Sequence, residues 1–110
     1  MNKDFIIPDD LCDTGKLLAK KILEVADDPN DCISGGGCRA FYSPKEWEAR
    51  GELYGKNSLL IVVHDGGDLA PYFNYDYECQ NAVEKMDEAL SQLGAHAEQC
   101  TSWYTAIYLS

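Results

Sequence analysis

Basic residues are scarce in one half of this chain. After Lys56 only Lys85 remains, against eight acids, whereas residues 1–56 set eleven acids against eight bases. Over 110 residues the net charge is −10. That deficit excludes a nucleic-acid-binding surface and an anionic-membrane anchor, which need lysine and arginine to meet phosphate. Long apolar runs are also missing. The longest, Leu59–Val63, is far short of the roughly 20 residues of a membrane-spanning helix. The opening MNKDFIIPDD lacks a signal-peptide core and cleavage site, so the expected location is the cytoplasm. There is no CxxC pair, internal repeat or low-complexity segment. Gly35-Gly36-Gly37 is not followed by the Lys-Ser/Thr of a phosphate cradle. No cofactor and no metal is expected.

Five cysteines, an odd number without a leader, point to reduced thiols instead of a disulfide framework. Cys32 and Cys38 have neither zinc-ligand spacing nor a histidine near them. Cys79 falls on the apolar stripe of a predicted helix and is expected in the core. Cys38, beside the glycines and Arg39, is the one candidate for an activated thiol, because a neighbouring cation lowers a thiol pKa.

One domain, residues 1–110, is expected. The spacing of Leu18, Ile22 and Val25, with Leu17 adjoining, predicts a helix over 13–27 capped by Asp13 or Thr14. Residues 28–40 (DPNDCISGGGCRA) read as a loop. Ser43-Pro44-Lys45-Glu46 has the form of a helix start, predicting a short helix from Pro44 to Arg50 anchored by Trp47. The run 58–64 (SLLIVVH) carries the strongest strand signal. Asp65-Gly66-Gly67-Asp68 reads as a hairpin turn, and Leu69–Asn74 as the returning strand, kept to an edge by Pro71. Cys79, Val83, Met86, Leu90 and Leu93 mark a helix from Tyr77 or Glu78 to Leu93, stopped by Gly94. Residues 96–109 read as strand, broken near 100–102. Trp103, Thr105, Ile107 and Leu109 then share one face, and Tyr104, Ala106 and Tyr108 the other. The expected fold is α+β: a small, mainly antiparallel sheet of three to four strands, with two main helices and a short one on one face.

The acidic half also concentrates tyrosine. Tyr72, Phe73, Tyr75 and Tyr77 fall in one short segment interleaved with Asp76 and Glu78, and Tyr104 and Tyr108 lie on the face expected to be open. Rigid aromatic anchors among carboxylates suit a docking surface for a basic partner. The expected binding set is Asp65, Asp68, Tyr72, Tyr75, Asp76, Tyr77, Glu78, Glu84, Asp87, Glu88, Tyr104 and Tyr108. The plainer account is an acidic surface that keeps the protein soluble over half-buried sheet tyrosines. Catalytic patterns compete with it. His64 beside Asp65 and Asp68 is a candidate general base, although turn chemistry already accounts for those aspartates. Asp65, Asp68, Asp76 and Glu78 are candidate ligands for a hard cation but lack calcium-loop spacing. An enzyme or ligand-binding domain using Cys38 or His64, and a homodimeric regulatory protein, therefore stand beside a non-enzymatic binding protein, which is the leading expectation.

The acidic C-terminal half, with PYFNYDYE and the ending SWYTAIYLS after LLIVVHDGGD, resembles the small anti-defence proteins of phages and other mobile elements, such as anti-CRISPR and anti-restriction proteins. The likeness is of size and acidity, without a shared motif, and covers mainly residues 57–110. It implies a stoichiometric inhibitor in the host cytoplasm, monomeric or homodimeric. Such an inhibitor binds the basic surface of a host nuclease or CRISPR complex. Lys16, Lys20 and Lys21 restrict any DNA mimicry to one face.

Overall fold

The computed structural model describes residues 5–26, 40–64 and 67–110. The expected loop at 28–40, apart from Ala40, lies outside the described residues, as do Asp65 and Gly66. Helix α1 spans Asp13–Val25 and buries Leu18, Ile22 and Val25, while Leu17 faces water. Its cap is Cys12, one residue before the expected Asp13 or Thr14: the Cys12 sulfur accepts from the Gly15 N–H at 3.4 Å. Asp13 instead occupies the first turn, where a negative charge complements the helix dipole. A Cβ on Gly15 would lie 2.8 Å from the Leu59 carbonyl oxygen, so this glycine lets the helix approach the chain leading into the sheet.

Strand β1 is the two-residue Phe41–Tyr42, and helix α2 follows at Pro44–Ala49. The Ser43 hydroxyl accepts from the Glu46 N–H at 3.1 Å and donates to Asp10 Oδ2 at 2.6 Å, which ties the cap to the N-terminal segment. Strand β2 is Leu60–Val63. The expected returning strand at Leu69–Asn74 is instead a single helical turn, α3, Ala70–Phe73. The missing N–H of Pro71 suits the first turn of a helix as well as a sheet edge. Leu69 and Phe73, four residues apart, are both buried, and that helical spacing decides the outcome.

Tyr75–Tyr77 forms a short 3-10 turn, and helix α4 runs over Gln80–Gln92. It starts later than expected because Glu78 adopts a left-handed conformation, φ 55°, that breaks the helix. Cys79 therefore sits at the cap position and is exposed, not in the core. Met86 and Leu90 are buried, Val83 half-buried and Leu93 exposed, and Gly94 takes the expected positive φ of 74°. Strands β3, Ala95–Gln99, and β4, Tyr104–Leu109, form a hairpin, with the break falling at 100–103.

The fold is α+β. Among the described residues its four strands are antiparallel throughout, in the order β1-β2-β4-β3. Side chains alternate between the two faces. Leu60, Val62, Ala95 and Ile107 join α1 and α4 in one mainly aliphatic core that also takes in Phe5, Phe41 and Phe73. Ile61, Val63, Tyr104 and Ala106 join Tyr42 and Trp47 in a second, aromatic one. The two long helices thus share one face as expected, whereas the short α2 covers the other. Leu109, expected under the helices with Ile107, is exposed, and Trp103 packs against the aromatic core.

Candidate functional site

Tyr75 stands where two shallow depressions meet. One, of about 520 Å³, lies against the start of α4 and is lined by Tyr75, Glu78, Val83 and Glu84. The other, of about 430 Å³, runs along β3 and is lined by Tyr75, Ala97, Glu98, Gln99 and Thr101. A third depression continues past Glu98 to Tyr108, Leu53, Tyr54 and Lys56. Together they form a strip from α4 across the β3 edge to the 53–57 turn, acidic at Glu78, Glu84 and Glu98 and ending at Lys56.

Local hydrogen bonding holds Tyr75 in place. Its N–H donates to Gln99 Oε1 at 3.1 Å, and Gln99 Nε2 donates to Asn74 Oδ1 at 3.3 Å and to the Thr101 carbonyl at 3.1 Å. Asn74 accepts from the Asp76 N–H at 2.9 Å and donates to the Ser102 carbonyl at 3.0 Å. The bond from Asn74 to the amide two residues on is a typical asparagine turn. Asn74 and Gln99 therefore clamp the YFNYDY segment onto the β3–β4 hairpin. Sequence reasoning missed both residues, and only the asparagine carried a local signal. It also missed Glu98, Leu53 and Tyr54.

Tyr75 and Tyr77 are 54% and 46% exposed, and Asp68, Asp76, Glu78, Glu84, Asp87 and Glu88 are exposed as well. Among the described residues no cation lies within ion-pair distance of Glu78, Glu84, Asp87 or Glu88. Partial burial pushes the Asp87 carboxyl above its ordinary pKa. Tyr72 is half-buried against the aliphatic core and Tyr108 is half-buried on the other face. Asp65 lies outside the described residues. Tyr104 is a correction: it is 2% exposed, with its ring 4.9 Å from that of Trp47, because α2 covers the face expected to be open.

On that face His96 Nε2 lies 3.0 Å from Glu98 Oε2, and its Nδ1 lies 3.1 Å from the Ser110 hydroxyl. The imidazole stacks on Tyr108 at 5.9 Å. These groups are open to solvent, so water competes for both bonds.

The catalytic candidates are differently placed. His64 is 1% exposed, with Nε2 2.9 Å from Thr105 Oγ1 and its ring stacked on Phe73, which gives it a packing role between β2 and β4. Among the described residues no three His, Cys, Asp or Glu side chains converge as metal ligands, so Asp68, Asp76 and Glu78 do not gather around a cation. Cys32 and Cys38 lie outside the described residues, and Cys12, Cys79 and Cys100 are free thiols. Burial, with the Glu98 charge nearby, pushes the Cys100 thiol up, away from the reactive thiolate. Among the described residues no helix is long and apolar enough to cross a membrane. No protein family, curated protein or solved structure matches the chain.

Proposed function

We propose that the protein is a non-enzymatic inhibitor that occupies a basic, nucleic-acid-binding surface of a host defence complex. Its strip of carboxylates stands in for phosphates, and Tyr75 for a stacked base. One observation carries this reading: Glu78, Glu84 and Glu98 flank the exposed, clamped Tyr75, on the half of the chain that carries −7 of the charge. Glu78 and Glu84, which among the described residues have no cation at ion-pair distance, keep their field for an outside one, and Glu98 adds a charge shared with His96. A tyrosine whose backbone is fixed by Gln99 loses less chain entropy on binding. The working face is narrower than the expected set, because Tyr104 is buried and Tyr72 half-buried.

The test is capture from bacterial lysate with the tagged protein. A nucleic-acid-processing complex is expected to be retained at about 0.1 M salt and released at about 1 M, where the screening length falls from about 10 Å to about 3 Å. The Glu78→Lys/Glu84→Lys/Glu98→Lys variant is expected to lose it. Undiminished capture by that variant, folded by circular dichroism, would overturn the proposal.

A further inference from the structure

We infer that the open edge of β3 takes a fifth strand: an extended, lysine- or arginine-bearing segment of a partner protein, paired to the backbone of Ala97 and Gln99. The sign of the partner's charge rests on the function proposed above, whereas the pairing rests on the sheet alone.

Among the described residues β3 ends the sheet and is bonded on one side only, to β4. The Ser110 N–H donates to the Gly94 carbonyl at 2.9 Å, and the Cys100 N–H to the Tyr104 carbonyl at 3.1 Å. The same register pairs His96 with Tyr108 and Glu98 with Ala106. Bonded residues alternate along an antiparallel strand, so Gly94, His96, Glu98 and Cys100 face β4. Ala95, Ala97 and Gln99 then point their N–H and C=O away from β4. Ala95 is buried, which leaves the half-buried Ala97 and Gln99 as the open part of the edge, and among the described residues no backbone group outside the sheet bonds to them. This outward side borders the depression that β3 shares with Tyr75. A strand laid there would replace water on a row of donors and acceptors already fixed in space, which is how sheet edges recruit extended peptides.

An open edge invites indiscriminate pairing unless something blunts it. Here the usual devices are missing: β3 has no proline, and its register with β4 runs without a bulge. What guards it is negative charge. Glu98 lies on the strand, and Glu78 and Glu84 stand beyond Tyr75. These carboxylates repel a second copy, which brings its own −10, and attract a strand bearing lysine or arginine. One feature thus guards the edge and selects its occupant.

The probe is a synthetic ten-residue peptide of alternating lysine and valine, titrated by fluorescence anisotropy. A second peptide of the same sequence is N-methylated on every other amide, which removes pairing donors and leaves the charge. The unmodified peptide is expected to bind about tenfold or more tightly than the methylated one, the effect of two or three lost backbone hydrogen bonds. Ala97→Pro removes an outward N–H without touching a β4 bond, and proline is tolerated on such an edge. It is expected to abolish the difference between the peptides. Amides of Ala97 and Gln99 are expected to exchange quickly in the free protein and slowly in the complex. Equal affinity for the two peptides, or binding of neither, would overturn the inference and leave the salt-sensitive capture of a basic partner standing. Slow exchange at Ala97 and Gln99 in a concentration-dependent dimer would overturn it in favour of a second copy. Should Ala97→Pro fail to fold, the peptide pair decides. A lysate without a salt-sensitive partner would count against the proposed function, while the peptide comparison would still read the edge.

Discussion

The two faces of this sheet are built from the same strands and closed by different means. Against α1 and α4 the strands turn Leu60, Val62, Ala95 and Ile107, and the core beneath is mainly aliphatic, with Phe5, Phe41 and Phe73 among its buried side chains. Against α2 they turn Ile61, Val63, Tyr104 and Ala106, and a six-residue helix closes them through one fully buried side chain, Trp47. Arg50 lies over the Trp47 ring at 4.9 Å and finishes the cover. Beyond its reach, toward β3, the same face carries His96, Glu98 and Tyr108, which meet water. The first face gives stability through area; the second gives it through a single anchor and leaves its β3 end open to water.

The sharpest way to break this contrast is to remove the anchor. Trp47→Ala is expected to cost about 3–5 kcal/mol, at or above the roughly 2–5 kcal/mol for Leu90→Ala on the first face. Urea denaturation measures both. A loss below about 1 kcal/mol for Trp47→Ala would mean that α2 is a passenger on the second face. Next comes the cap. Ser43→Ala is expected to cost about 0.5–2 kcal/mol, because it removes the acceptor for the Glu46 N–H and the bond to Asp10. If only α2 depends on it, the loss in the Trp47→Ala background should be smaller.

The smallest effect sharpens the contrast by pH. The ionisable groups raised by burial on the aromatic side are Tyr104, Tyr108 and Cys100. Their folded pKa values exceed the unfolded ones, so the unfolded chain releases these protons first. Their contribution to stability is whole below the ordinary thiol and phenol ranges and is lost as pH rises toward the folded values. The urea midpoint is expected to fall modestly between about pH 8 and about pH 11, and Tyr104→Phe to reduce the fall. A flat profile in the wild type would contradict this. The half-exposed Tyr108 and Cys100 contribute little each.

What could be read from the sequence follows the length of each signal. α1, α4, β2 and the last hairpin carry periodic patterns over several residues, and each was found within a few positions of its expected place. The α2 start was legible because Ser43, Pro44 and Glu46 each have a local reason to be there. Leu69–Asn74 was misread because six residues with one proline fit an edge strand and a helical turn alike, and tertiary burial of Leu69 and Phe73 chose between them. β1 is too short to carry a pattern. The acidic strip was half legible: Tyr75, Glu78 and Glu84 fall within one stretch of ten residues, whereas Glu98 joins them only through the β3 hairpin. Tyr104 was misplaced because nothing local says that α2 folds onto its face.

The order of strands also sets a timetable. β4 is the last strand in chain order, yet it lies inside the sheet, between β2 and β3. It supplies Ile107 to one core and Tyr104 and Ala106 to the other. During synthesis α1 and β2 leave the ribosome well before it, and neither core can close until residues 104–109 arrive. The β2–β4 pairing must also draw together ends separated by α3 and α4, an entropic toll that local hairpins escape. Ribosome-bound chains halted before Tyr104 should therefore be open to protease along β2, and chains released after Leu109 protected.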